Sequence, residues 1–284
     1  MKKTIAIVAI TTMMFTSCKV SDMRKGTSLN KVETANNADK SKGKQILDNY
    51  IKKNGYDKLS TVNTYQVTSN ETWKGMMGKM GNPWPESKLS YIMKFSPDLN
   101  EFTMNTQLTS GKKKGDSWGL KKTLSSVYYV ESGEPVKNIK EGKMSFNLAN
   151  YQWWIEFPYR LSEVSNVTYA GEKERNGQNY DLVLATWGTD LKANKNYDQY
   201  MMWFNKNTGL MDLVTFTYRD VPMMMPPFMY GTALFTDYKI VNGINIPHSH
   251  KFQINGPSKG SKYAHHFMIE SIEFDTFDKS ELLK

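Results

Sequence analysis

The chain has 284 residues, with 37 Lys and Arg against 28 Asp and Glu and a formal net charge of +9. That length can bury one large core or two small ones. The positive excess is scattered apart from Lys112-Lys113-Lys114 and Lys121-Lys122, and no nucleic-acid recognition module occurs, so no nucleic-acid partner is expected. The single cysteine, Cys18, excludes a disulfide within one chain.

The N-terminus starts with Met1-Lys2-Lys3, then runs mostly apolar from Thr4 to Phe15 and ends in Thr16-Ser17-Cys18. That is a basic n-region, a short h-region and a small-residue cleavage site. The apolar run is shorter than the ~20 residues a spanning helix needs. Its placement of Cys18 resembles a bacterial lipoprotein signal, with Phe15 where Leu is usual. The resemblance implies removal of residues 1–17, lipidation of Cys18 and loss of its thiol for chemistry. Lys19 follows Cys18, so the Asp that signals inner-membrane retention is absent at that position. The expectation is an exported protein lipid-anchored to the outer membrane, on the periplasmic face or the cell surface. Residues 18–41 are polar and read as a flexible tether.

The helical face of Ile46, Leu47, Tyr50 and Ile51 predicts a helix over 42–54, stopped at Asn54-Gly55. Period-2 patterns then predict strands over 61–68, 88–95, 100–108, 127–130, 167–170 and 179–186, the last two around Asn176-Gly177. Strands over 200–204 and 210–218 flank Asn205–Gly209, those over 232–241 and 244–254 flank Asn242-Gly243, and a last one covers 265–274. A helix near 147–158 carries Tyr151, Trp153, Trp154 and Phe157. The fold class expected is mainly β (α+β), and residues 42–284 are expected to form a single domain.

This order of pieces resembles the LolA and LolB-like lipoprotein-sorting and lipid-carrier proteins, in the form found in lipoproteins of Bacteroidetes-type bacteria. The resemblance rests on Gln45–Ile51 leading into Asn54–Leu59, then Phe157–Leu161, Tyr169–Glu172 and Asn176–Val183. It continues through Tyr200–Leu210, Asp237-Tyr238-Lys239 and Val241–His248. It implies a strongly curved open antiparallel sheet, a half-barrel wrapping an N-terminal helix and short helices, with an apolar concavity for acyl chains. It implies no catalytic residue and no cofactor. The soluble carriers of the group lack an anchor, so an anchored version acts as a receptor. The segments 70–87 and 219–231 have no counterpart in the group.

Candidate ligand-binding residues are Tyr91, Met93, Phe102, Met104, Trp203 and Phe216 on strands, with Met224 and Phe228 on a loop. Methionine is abundant, 18 in all, and clusters at Met76, Met77 and Met80 and at Met223, Met224, Met225 and Met229. Flexible thioethers suit variable apolar ligands. They also suit Cu(I), but no second ligand type lies nearby. His248 and His250 share a strand face, whereas adjacent His265 and His266 point to opposite faces, so at most three imidazoles could converge on zinc. No metal is expected. There is no nucleophile elbow or phosphate loop. Glu156, Glu163, Asp212 and Asp220 carry the alternative reading, a glycan-binding accessory or hydrolase using Trp-rich loops. The expected partners are a membrane and a hydrophobic ligand such as a lipid or acyl chain, and the expected state is a monomer.

Overall fold

The computed structural model describes residues 20–121, 126–139, 142–219, 225–257 and 262–283; Cys18 and Met224 lie outside them. Helix α1 (Asn37–Lys53) begins at the Asn36 side chain, which accepts from the Asp39 amide at 2.8 Å and so caps the first turn. It stops where the sequence predicts: Gly55 follows at φ 74°, with its α-carbon so close to the Gly243 carbonyl that a Cβ would overlap it. A 3₁₀ turn over Tyr56–Thr61 leads into the sheet.

The first run of strands is β1 (Tyr65–Trp73), β2 (Lys88–Ser96), β3 (Thr103–Leu108), β4 (Ser117–Lys121), β5 (Ser126–Val130) and β6 (Lys137–Ile139). Helix α2 (Gly75–Gly81) interrupts it after β1, in a segment whose glycines and methionines read as a loop. Helices α3 (Lys143–Ile155) and α4 (Phe157–Arg160) follow β6. The second run is β7 (Asn166–Arg175), β8 (Gln178–Thr186), β9 (Gln199–Asn205), β10 (Met211–Thr217), β11 (Tyr230–Val241), β12 (Ile244–Ile254) and β13 (His265–Phe274).

These strands form one antiparallel sheet in the order β6-β5-β4-β3-β2-β1-β13-β12-β11-β10-β9-β8-β7. Each run is a meander, and among the described residues the two join where β1 pairs with β13, Tyr65 opposite Phe274. The result is a curved, open sheet with helices, as expected. The Asn-Gly turns account for two hairpins: Asn176-Gly177 and Asn242-Gly243 all have positive φ, as type I′ turns require.

The inner face carries the main core. From β2, Leu89, Tyr91, Met93 and Phe95 alternate inward into the core, with Tyr91 packed on Tyr151 of α3. Helix α1 approaches β7 so closely that a Cβ on Gly43 would lie 2.5 Å from the Tyr169 nitrogen. Gly43→Ala is therefore expected to cost about 1–3 kcal/mol by overpacking. A urea denaturation midpoint checks this, with exposed Lys40→Ala as a control within about 0.5 kcal/mol.

The outer face of the second run is covered too, and this corrects one expectation. The stretch read as a tether is packed from residue 20 onward. Leu29 and Ala35 are buried against Ala170, Leu182, Leu184 and Leu213, and the Ser28 amide donates to the Ala170 carbonyl at 3.0 Å. Arg24 bonds Asp22 and the Val32 carbonyl, closing the segment on itself. Its few apolar residues are spaced to seal the convex side and edge strand β7, and the many polar residues between them conceal that spacing. The domain accordingly begins well before residue 42.

Candidate functional site

A cavity of about 570 Å³ lies between α3 and the inner face of the sheet, within the usual range of ~300–1,000 Å³ for small-molecule pockets. Helix α3 presents Phe146, Ala149, Tyr151, Trp153 and Trp154 to it. The second run of strands contributes Tyr200, Phe216, Phe252 and Phe267, and α2 supplies Met77 and Met80. Among the described residues that line it there is no Lys or Arg. The cavity opens at one end of the strands, where α2, the loop around 187–198, Tyr218 and Met225 meet; the opposite end is filled by α1 and the 3₁₀ turn, with Tyr50 against Phe204 at 5.1 Å.

Trp154 is the central wall residue. Its ring packs on Phe157, Tyr200, Phe216, Phe235 and Phe252 at centroid distances of 4.9–6.3 Å. The Phe157 contact is stacked and the other four are tilted or edge-on, all favoured geometries for aromatic pairs.

One wall holds a polar hub. Glu71 is completely buried on β1, opposite Phe267. Its Oε1 accepts from Trp73 Nε1 at 2.7 Å and from the Tyr91 hydroxyl. Its Oε2 accepts from the Tyr151 hydroxyl at 2.7 Å and lies 2.7 Å from His265 Nε2. Trp84 Nε1 donates in turn to Tyr151 at 2.9 Å. Burial alone would raise the Glu71 carboxyl, but the His265 imidazole and the donors from Tyr91 and Trp73 outweigh it and hold the group below its ordinary value. The His265 ring is fixed in a stack between Trp73, at 3.7 Å, and Phe252, at 5.2 Å. Burial pushes the neighbouring His250 down to about 3, so at neutral pH it is an uncharged ring, with Nε2 donating to the Pro247 carbonyl.

Of the predicted ligand-binding residues, Phe102 and Phe216 line the cavity. Tyr91, Met93 and Met104 face the same side but are fully buried in the core beneath α3. Trp203 is on the convex face, packed on Tyr180 at 5.6 Å. The run Tyr200-Met201-Met202-Trp203-Phe204 is apolar on both faces, so it carries no parity from which to read its direction. Phe228 is exposed near the mouth, and Met224 is outside the described residues. Sequence reasoning missed Glu71, Trp187 and Tyr197. Alternation along β12 and β13 could have placed His250 and His265 inward, since they share a face with Phe252 and Phe267.

The other candidate groups disperse. His266 points outward to Ser249 at 2.9 Å, and His248 bonds the Ile246 carbonyl. Among the described residues no three His, Cys, Asp or Glu groups stand close enough to hold a metal. Glu156 is a buried partner of Arg160 at 2.7 Å, and Asp212 accepts from Tyr180 and Asn205. Glu163 is exposed, and Asp220 lies outside the described residues. Among the described residues, no helix is long and apolar enough to cross a membrane.

No family model and no curated protein matches the sequence. Solved structures do match in fold. A domain from Vibrio parahaemolyticus named for outer membrane lipoprotein sorting aligns with a TM-score of 0.52 at 14% identity, over 85% of this chain and 96% of that one. A DUF1329 family protein from Desulfovibrio piger aligns with a TM-score of 0.51 at 10% identity, over 86% and 99%. A LolA superfamily protein from Nitrosomonas europaea aligns with a TM-score of 0.48 at 10% identity, over 84% and 97%. The architecture is thus that of a curved open sheet around helices shared with lipoprotein-sorting domains. The chain shares its fold with the Vibrio parahaemolyticus and Desulfovibrio piger structures.

Proposed function

We propose that this is a lipid-anchored cell-envelope protein that binds a hydrophobic ligand, a lipid or a lipoprotein acyl chain, in the cavity between α3 and the sheet. The anchor is Cys18, and the outer membrane is the proposed site. The observation that carries the reading is the lining: aromatic rings and methionines surround about 570 Å³, without a Lys or Arg among the described lining residues. Each CH₂ moved from water into such a space contributes about 0.8 kcal/mol, so one long acyl chain provides ample affinity. Binding rather than catalysis fits the polar groups present, because Glu71 is held by four side-chain partners, and Glu156 is tied to Tyr65, Gln152 and, as an ion pair, Arg160.

Organic extraction of the purified protein, followed by mass spectrometry, is expected to yield a bound lipid. Uptake of a fluorescent fatty acid gives the quantitative arm. Ala149→Phe, which fills the α3 wall, is expected to weaken uptake at least tenfold, about 1.4 kcal/mol, with little change in thermal midpoint. Absence of lipid together with unaltered uptake in Ala149→Phe would overturn the reading.

A further inference from the structure

Of the seven exposed large apolar side chains among the described residues, Met80, Trp187 and Tyr197 line the cavity, Met76 shares helix α2 with the lining residues Met77 and Met80, and Phe228 lies three residues from the lining residue Met225. Met76 is 74% exposed and Phe228 60%. Exposed apolar groups are usually scattered singly, and such a concentration marks a contact surface. Lys74, Lys79, Lys195 and Lys262 are exposed among them. Lysines interleaved with Trp, Tyr and Met are the side chains that settle at a lipid headgroup boundary.

The N-terminal segment ends at this same place. The Ser21 amide donates to the Pro227 carbonyl at 2.7 Å, and its hydroxyl to the Met229 carbonyl at 3.1 Å. Arg219 Nη2 donates to the Ser21 carbonyl and hydroxyl at 3.1 and 3.0 Å, and also bridges to Pro227 through Nη1. The Met23 amide donates to the Gln199 side chain at 2.9 Å. Ser21 is therefore fastened to the loop that carries Phe228. From Ser21 back to Cys18 the chain can span at most about 11 Å.

We propose that the rim of the cavity is a membrane-docking surface, held face-down on the bilayer that anchors Cys18. This rests on the reading of Cys18 as lipidated. A leash this short cannot hold the domain clear of the membrane. The acylated Cys18 holds the chain at the bilayer, and the basic apolar patch beside it sets which face of the domain meets the headgroups. Ligand then passes between bilayer and cavity through the rim without crossing water.

The test uses the full acylated chain in vesicles of phosphatidylethanolamine and phosphatidylglycerol. Lipidation occupies the native thiol, so a cysteine-reactive environment-sensitive dye reports a single introduced site: Met76→Cys, Phe228→Cys or Ile240→Cys. Ile240 is 75% exposed and lies near the opposite end of the strands. The expected result is quenching by doxyl-labelled phospholipid at 76 and 228 at least threefold stronger than at 240, with iodide quenching in the reverse order. Equal lipid quenching at 228 and 240 overturns the docking surface. So does protection at 228 that rises with protein density rather than with lipid, which would mean a second copy covers the rim. Intact mass of the vesicle-bound chain tests acylation separately. If Cys18 is unmodified, the anchor reading fails, and the same probes on a Cys18→Ser chain added to the vesicles still decide whether the rim enters lipid.

Discussion

Glu71→Ala is expected to destabilise the protein by about 3–5 kcal/mol, the cost of removing one partner from a buried charged cluster. The substitution leaves donors on Trp73, Tyr91, Tyr151 and His265 unsatisfied in the interior, and each carries its own desolvation cost. These residues come from β1, β2, α3 and β13, so the hub ties α3 to the seam where the two strand runs meet. A thermal midpoint about 10 °C lower would be a typical consequence. The pH dependence has a definite sign. The Glu71 carboxyl is held below its ordinary value of 4.5, so the unfolded chain takes up this proton at higher pH than the folded one. Its contribution is complete above the ordinary carboxylate range and is lost as pH falls through the folded value. Glu156 has the opposite sign, because burial raises its carboxyl. Urea midpoints of wild type and Glu71→Gln measured from pH 7 to pH 3 should converge on acidification. A constant difference would show that the charge on Glu71 is not what stabilises the hub.

Trp154→Ala is the second large effect, with an expected loss of about 3–5 kcal/mol. The indole contacts five rings drawn from α4 and from β9 to β12, so its removal opens a void where helix and sheet meet. Trp154→Phe should recover most of the stability, since the neighbouring rings can still pack edge-on. Fatty-acid uptake should fall in Trp154→Ala even at temperatures where the variant is folded, because the wall that shapes the cavity has lost its main contact. Urea denaturation and uptake measured on the same samples separate the two losses.

Strands with clean alternation were legible from sequence alone. Those at 244–254 and 265–274 are found with the bounds that their residue pattern predicts, and the β2 pattern extends by a single residue. The Asn-Gly turns and the Asn54-Gly55 stop were readable because few residues tolerate positive φ. Short strands such as β4 and β6 were not, since Ser117–Lys121 contains Gly119 and Lys137–Ile139 has only three residues. Gly119 pairs with Tyr128, whose ring occupies the place of a side chain, and no local pattern records that. The cavity was legible as an apolar concavity but not residue by residue. Its walls come from strands far apart in sequence and from a helix whose aromatic residues resemble ordinary core. The Glu71 hub was invisible because one acidic residue among polar neighbours in a strand looks solvated.

The seam between β1 and β13 also constrains how the chain reaches its native state. Tyr65 must find Phe274, a partner near the far end of the sequence, before the two meanders become one sheet. Each meander can zip up from local hairpins, but the closing contact is among the least local in the molecule, and high contact order slows folding. Until β13 arrives, β1 is an unpaired edge open to association with other chains. Shortening the chain by its last strand would therefore leave two half-sheets that cannot join, and slow, aggregation-prone refolding should track the availability of this one strand.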